Sequence, residues 1–152
     1  KAGAEKEYKA ALAIRPDLTA LPQRIVVAVD FGPASIRAAH LARRLLADNG
    51  ALYLVHVTSV NSDRLRRGLD RIAADLAPAE GMTTSSILLH GDIQSAIEGC
   101  AQALGADLLA VGSEEHSLLD RITVGRMSMK LAHTARWSML IAPSSTPVLL
   151  SE

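Results

Sequence analysis

The chain has 152 residues, its 16 lysines and arginines balance 16 aspartates and glutamates, and only 3% of its residues are aromatic. That balance leaves no global field to draw in nucleic acid or a membrane surface, and the scarcity of aromatics argues against base-stacking platforms. A chain of this length is one domain with at most an appendage, and at this size roughly 68–70% of the unfolded surface can be buried, enough for one continuous core. Cys100 is the sole cysteine, so no intrachain disulfide or thiolate metal cluster can form, and a reducing compartment is the simplest expectation. No apolar run approaches the ~20 residues of a membrane span, and no signal peptide is visible. The expected location is the cytoplasm. Because the sequence opens on Lys1 rather than Met, it reads as a trimmed or excised piece of something longer.

Residues 1–22 stand apart from the rest of the chain. Ala4, Tyr8, Ala11 and Leu12 form a helical stripe that matches either a generic amphipathic extension or the second helix of a tetratricopeptide repeat. From Gln23 a strand–helix–strand alternation begins. RIVVAVD, Arg24–Asp30, is a β-branched apolar strand ending on a carboxylate. Pro33 suits the first turn of a helix, because it needs no amide hydrogen there and its φ is preset. That helix is expected to run to about Asp48, burying Ala38, Leu41, Ala42 and Leu45 at i, i+3, i+4, i+7 spacing, with Asn49-Gly50 as its stop. Ala51–Thr58 is the second strand, apolar on both faces except for His56.

Asn61 or Ser62 caps the next helix, whose core stripe is Leu65, Leu69, Ile72 and Leu76, with Arg64, Arg67 and Arg71 on the other side. Pro78 and Gly81 end it. Thr83–His90 is a third strand, polar at its start and therefore nearer an edge. Asp92 caps a helix with the stripe Ile93, Ala96, Ile97, Cys100 and Leu104, closed by Gly105. Asp107–Gly112, Gly125–Ala135 and Ser138–Ala142 complete the order as strand, helix and strand, stopped by Pro143. Near-continuous apolar strands fit a parallel sheet covered on both faces, each crossover right-handed. The expected fold is a three-layer, doubly wound α/β sandwich spanning 23–146, with a tail at 147–152. In such sheets ligands bind where the strand ends meet.

Few other side chains carry a chemical signature. His56 in an apolar strand reads as a satisfied core histidine. The remaining histidines, His40, His90, His116 and His133, lack metal-ligand spacing. Ser113 lacks the G-x-S-x-G elbow of a hydrolase nucleophile. GDIQSA is a helix cap, Cys100 sits on a buried stripe, and the arginines from Arg64 to Arg71 form a solvated face or meet a small acidic partner.

Taken in order, VAVDFGPAS, LVHV, HGD, ADLLAVGS and VGRMSMKLAHTARWSMLIAP resemble the universal stress protein family from about Gln23 to Pro143. The resemblance implies a five-stranded parallel sheet in the order 3-2-1-4-5 and a homodimer joined near the fifth strand, with the tail residues Pro147, Val148 and Leu149 serving the interface. It also implies nucleotide contacts at Asp30, Val57, Gly112, Ser113, Glu115, Gly125, Arg126 and Met127. Asp30 would meet a ribose or base, or else satisfy amides of the loop after it. Met127, with Met129, also reads as packing at the start of the last helix.

Nucleotide-binding members carry glycine, two residues, glycine, nine residues, then glycine and a small hydroxyl residue. Here Gly112 and Gly125 are in place, while Glu115 replaces the second glycine and Arg126 the hydroxyl. Glycines let the backbone approach a phosphate, and the amides that open a helix supply donors to it. Glu115 adds bulk and repulsion worth ~1 kcal/mol per charge pair at 4 Å in water and ~4 kcal/mol at an effective dielectric of 20. Arg126 either pairs with Glu115 and fills the phosphate site, or neutralises a bound anion with Arg121 or His116. The expectation is a non-enzymatic regulatory module with impaired ATP binding and no cofactor. The alternatives are a switch holding AMP or ATP with magnesium, and, least favoured, a nucleotide hydrolase. The protein partner is unknown.

Overall fold

The computed structural model describes residues 21–76, 79–112 and 138–142. Within them the two periodicities of the sequence become β1 (Arg24–Ala28), α1 (Pro33–Leu45), β2 (Ala51–Val57), α2 (Asp63–Asp75), β3 (Thr83–Leu89), α3 (Ile93–Leu104), β4 (Leu108–Gly112) and β5 (Ser138–Ala142). All four strand pairings are parallel, and the sheet order is β3-β2-β1-β4-β5. This is the α/β architecture expected from the sequence, in the strand order that the resemblance implied. The expected helix at 125–135, the stripe in residues 4–12 and the tail at 147–152 lie outside the described residues.

The sheet is central because of β1 and its neighbours. Ile25, Val26 and Val27 are fully buried, because β1 has a strand on each side and a packed layer on each face. Burial of each such side chain is worth about 1.5–3 kcal/mol. Val27 stands beside Leu54 of β2 and Ala110 of β4 in register. One face of the sheet packs α1 and α2 through Ala38, Leu41, Ala42, Leu69 and Ile72. The other face receives α3 through Ile97 and Ala101. β3, polar at its start and with no fully buried residue, is indeed an edge strand.

Caps set the helix limits. Pro33 occupies the first turn of α1 behind Gly32. Ser62, rather than Asn61, caps α2 by accepting from the Leu65 amide at 3.2 Å. Asp92 caps α3 by accepting from the Ser95 amide at 3.0 Å. Gly105 closes α3 in the left-handed conformation with φ 66°, which glycine adopts at no steric cost.

Several expected limits are corrected. Helix α1 stops at Leu45, not near Asp48, because Leu46 turns extended and buries its side chain, while the Ala47 amide donates to the Pro22 carbonyl. Asn49, not Gly50, takes the left-handed turn position with φ 64°. Strand β1 ends at Ala28, although the Val29 amide still pairs with the Val55 carbonyl. β2 and β3 each end one residue early, at Val57 and Leu89. Asp107 precedes β4 instead of opening it, because its carboxylate is turned back to accept from the amides of Gln23 and Arg24 at 2.8 and 3.0 Å. Leu65 and Ala96 are only half-buried, the deeper positions being Leu69, Ile72, Ile97 and Ala101.

Candidate functional site

From β1 the chain winds one way through β2 to β3, and the order resumes on the other side with β4 and β5. The order therefore reverses beside β1, and a crevice lies at the carboxyl ends of these strands. The crevice is lined by Ala28, Val29 and Asp30 from β1 and its exit, Val55 and Val57 from β2, Gly112 from β4, Ser35 from α1, and Ile93 and Ile97 from α3. It holds about 340 Å³ of empty space, its open mouth included. Of the residues singled out in the sequence, Asp30, Val57 and Gly112 come together here. Ser113, Glu115, Gly125, Arg126 and Met127 lie outside the described residues.

Asp30 is held by its own loop. Its Oδ1 accepts from the Gly32 amide at 2.8 Å and from the Ser35 hydroxyl at 2.8 Å. In return the Asp30 amide donates to Ser35 Oγ at 3.1 Å. Ser35 Oγ also lies 3.1 Å from the Gly32 carbonyl, so its single proton is shared between two acceptors, of which the carboxylate is the stronger. One carboxylate oxygen thus does what the structural alternative for Asp30 required: it organises the start of α1. Ser35 was not singled out from the sequence. Its signal was present, since it is a polar residue on the buried side of a helix first turn, five residues after a strand-end carboxylate.

Gly112 has a steric reason of its own. A Cβ there would lie 2.5 Å from the Ser35 nitrogen and 2.6 Å from the Ala34 carbonyl carbon. The end of β4 and the first turn of α1 touch backbone to backbone, so any side chain at 112 would drive them apart. This close approach accounts for the glycine whether or not a phosphate ever comes near it.

Behind the crevice, His56 Nδ1 lies 2.7 Å from the Val29 carbonyl, the satisfied histidine that the apolar strand suggested. Its ring meets Phe31 edge to face, with centroids 4.9 Å apart and planes at 61°. Phe31 has φ 67°, a left-handed backbone that costs a bulky side chain on the order of 1–3 kcal/mol. The strained residue directly follows Asp30, so one short loop sends a carboxylate to the crevice and an aromatic ring to the α1–α2 face. Phe31 was also missed in the sequence, where no local pattern marks a positive φ on phenylalanine.

Among the described residues no group of three or more histidine, cysteine or acidic side chains is placed to hold a metal ion. No helix among them is long and apolar enough to cross a membrane. Burial raises the Cys100 thiol above its ordinary value.

The family model described as the universal stress protein family matches residues 22–143, from the approach to β1 to the residue after β5. The chain belongs to the universal stress protein family. Solved structures of similar fold include a universal stress protein in complex with cAMP, 19% identical, with a TM-score of 0.63 over 83% of this chain and 100% of that one. A universal stress family protein from Burkholderia pseudomallei is 22% identical, with a TM-score of 0.59 over 80% and 96% of the two chains. A universal stress protein from Archaeoglobus fulgidus is 17% identical, with a TM-score of 0.60 over 79% and 93%. At these identities the likeness is one of fold. A comparison with curated proteins finds no match.

Proposed function

We propose that this universal stress family chain is a non-catalytic regulatory module whose strand-end crevice has lost effective binding of ATP. One observation carries this reading: Asp30, the carboxylate that would meet a ribose, already spends Oδ1 on the Gly32 amide and the Ser35 hydroxyl. A nucleotide hydroxyl at that oxygen must compete with two short bonds, each charge-assisted and worth about 1.5–3 kcal/mol. Sequence points the same way. Glu115 and Arg126 stand where the phosphate motif has a glycine and a hydroxyl residue, which takes away a close backbone approach and one donor and adds a negative charge. A homodimer through β5 and the tail is part of the proposal.

Calorimetric titration with magnesium–ATP is the direct test. The natural chain should show little or no heat of binding, and Glu115→Gly with Arg126→Ser should gain affinity. Tight binding by the natural chain, or no gain in the double variant, refutes the reading.

A second reading keeps a smaller adenine nucleotide, AMP or a cyclic relative, as a switch. The apolar wall of Val57, Ile93 and Ile97 opposite Asp30 favours it, since an adenine ring needs such a wall and a mononucleotide needs less of the phosphate loop. The cAMP complex of a universal stress protein of this fold lends it further support. Nucleotide released from freshly purified protein on heating, identified by mass, separates the two readings.

A further inference from the structure

On the side of the sheet that carries α1 and α2, an open groove of about 840 Å³, solvent at its mouth included, is lined by Phe31, Pro33, Ile36, Arg37 and His40. Phe31 forms its floor against the second helix. A Cβ on Gly68 would come within 2.9 Å of the Phe31 ring, so the glycine in the middle of α2 makes room for the aromatic side chain. Arg64 and Arg71 lie one turn to either side of Gly68, at i−4 and i+3, and therefore on the same face of α2. Both are exposed, and neither has a hydrogen bond or ion pair with the described residues. The groove thus has an apolar floor, with Arg37 of α1 in its lining and Arg64 and Arg71 flanking the glycine of α2 that packs on Phe31.

We infer that this groove is a docking site for an acidic amphipathic helix of a partner protein. Charge chooses the occupant, because basic groups stand on both helices. Shape agrees with it. Each of α1 and α2 has 13 residues, about 20 Å of length, so about three to four turns of a third helix can lie along them with apolar anchors over Phe31 and Ile36. The chain's zero net charge supplies no wider field to draw in a nucleic acid. The chain's own first 20 residues fit poorly, having four basic side chains against three acidic ones. Strain at Phe31 gains a purpose: the positive φ turns the ring toward α2, where it becomes the floor. This proposal does not depend on whether the crevice binds a nucleotide.

The test uses the full chain and a fluorescent synthetic helix of about four turns, with leucines on one face and glutamates on the other, read by anisotropy. Binding is expected, falling with added salt, and absent for the same peptide with lysine in place of glutamate. Reversing charge on α2 with Arg64→Glu and Arg71→Glu, both at exposed positions, should weaken binding about tenfold, with an unchanged thermal unfolding curve showing that the fold persists. Serine in place of the peptide leucines should abolish binding. The inference is overturned by no binding, by equal binding of the lysine peptide, or by an unaffected double variant. It is equally overturned if a single-stranded oligonucleotide, a fatty-acid anion or a second copy of the chain displaces the peptide from the groove.

Discussion

Replacing Gly112 with alanine tests the close backbone approach between β4 and α1. The added methyl would sit 2.5 Å from the Ser35 nitrogen where ordinary contact begins at 3.4 Å, a deficit of about 0.9 Å, and 2.6 Å from the Ala34 carbonyl carbon. Both obstacles are backbone atoms in the first turn of α1, so no side chain can swing aside. The helix start must move off β4, and it takes with it the Ser35 hydroxyl that binds Asp30. Overpacking of this kind costs about 1–3 kcal/mol, which lowers the melting temperature by roughly 2–4 °C per kcal/mol in a domain of this size. Urea unfolding followed by circular dichroism measures it, with an unchanged slope showing that the transition is the same. Gly99→Ala is the internal control. That glycine lies inside α3 with nothing within 4 Å of its missing Cβ, so alanine should stabilise by up to about 1 kcal/mol through helix propensity. If both variants behave alike, the steric account of Gly112 is wrong and its glycine needs another reason.

Ser35→Ala should destabilise by about 1–3 kcal/mol, because the part-buried Asp30 amide loses its acceptor and the carboxylate a donor; an unchanged urea midpoint would refute the loop account. Gly105→Ala places a side chain at φ 66° and should lower stability by about 1–2 kcal/mol in the same assay. Cys100 should react slowly with iodoacetamide in the folded protein near pH 8 and rapidly in urea, since burial raises its thiol and the thiolate is the nucleophile. A raised thiol means that its contribution to stability is complete below the unfolded value and is lost as pH rises through the folded one. Unfolding midpoints should therefore fall at alkaline pH, and Cys100→Ala should flatten that fall.

Most of the fold could be read in advance because its signals are local. The strand at Arg24, the proline opening α1, the carboxylate cap at Asp92 and the glycine at Gly105 each fix an element through chemistry within a few residues. Element ends were less legible, since they depend on partners far along the chain. Helix α1 stops at Leu45 because Ala47 pairs with Pro22, and Asp107 leaves β4 because its carboxylate caps the amides at Gln23 and Arg24. No window of sequence contains both halves of either contact.

The site divides in the same manner. Asp30, Val57 and Gly112 were legible from strand ends and from a family resemblance, and they converge in one crevice. Ser35 and Phe31 were not, because what matters about them is a hydroxyl turned back five residues and a backbone angle that phenylalanine rarely takes. These two define the behaviour of the loop. Ser35 holds the carboxylate of Asp30 at the crevice while Phe31, the next residue along, is locked between His56 and Gly68 on the helical face. A ligand that pulled Asp30 from Ser35 would act on the same six-residue segment that sets the Phe31 ring, and a helix pressed onto Phe31 would act on Asp30 in return. A coupling carried by this segment, being a binding free energy, is equal in both directions.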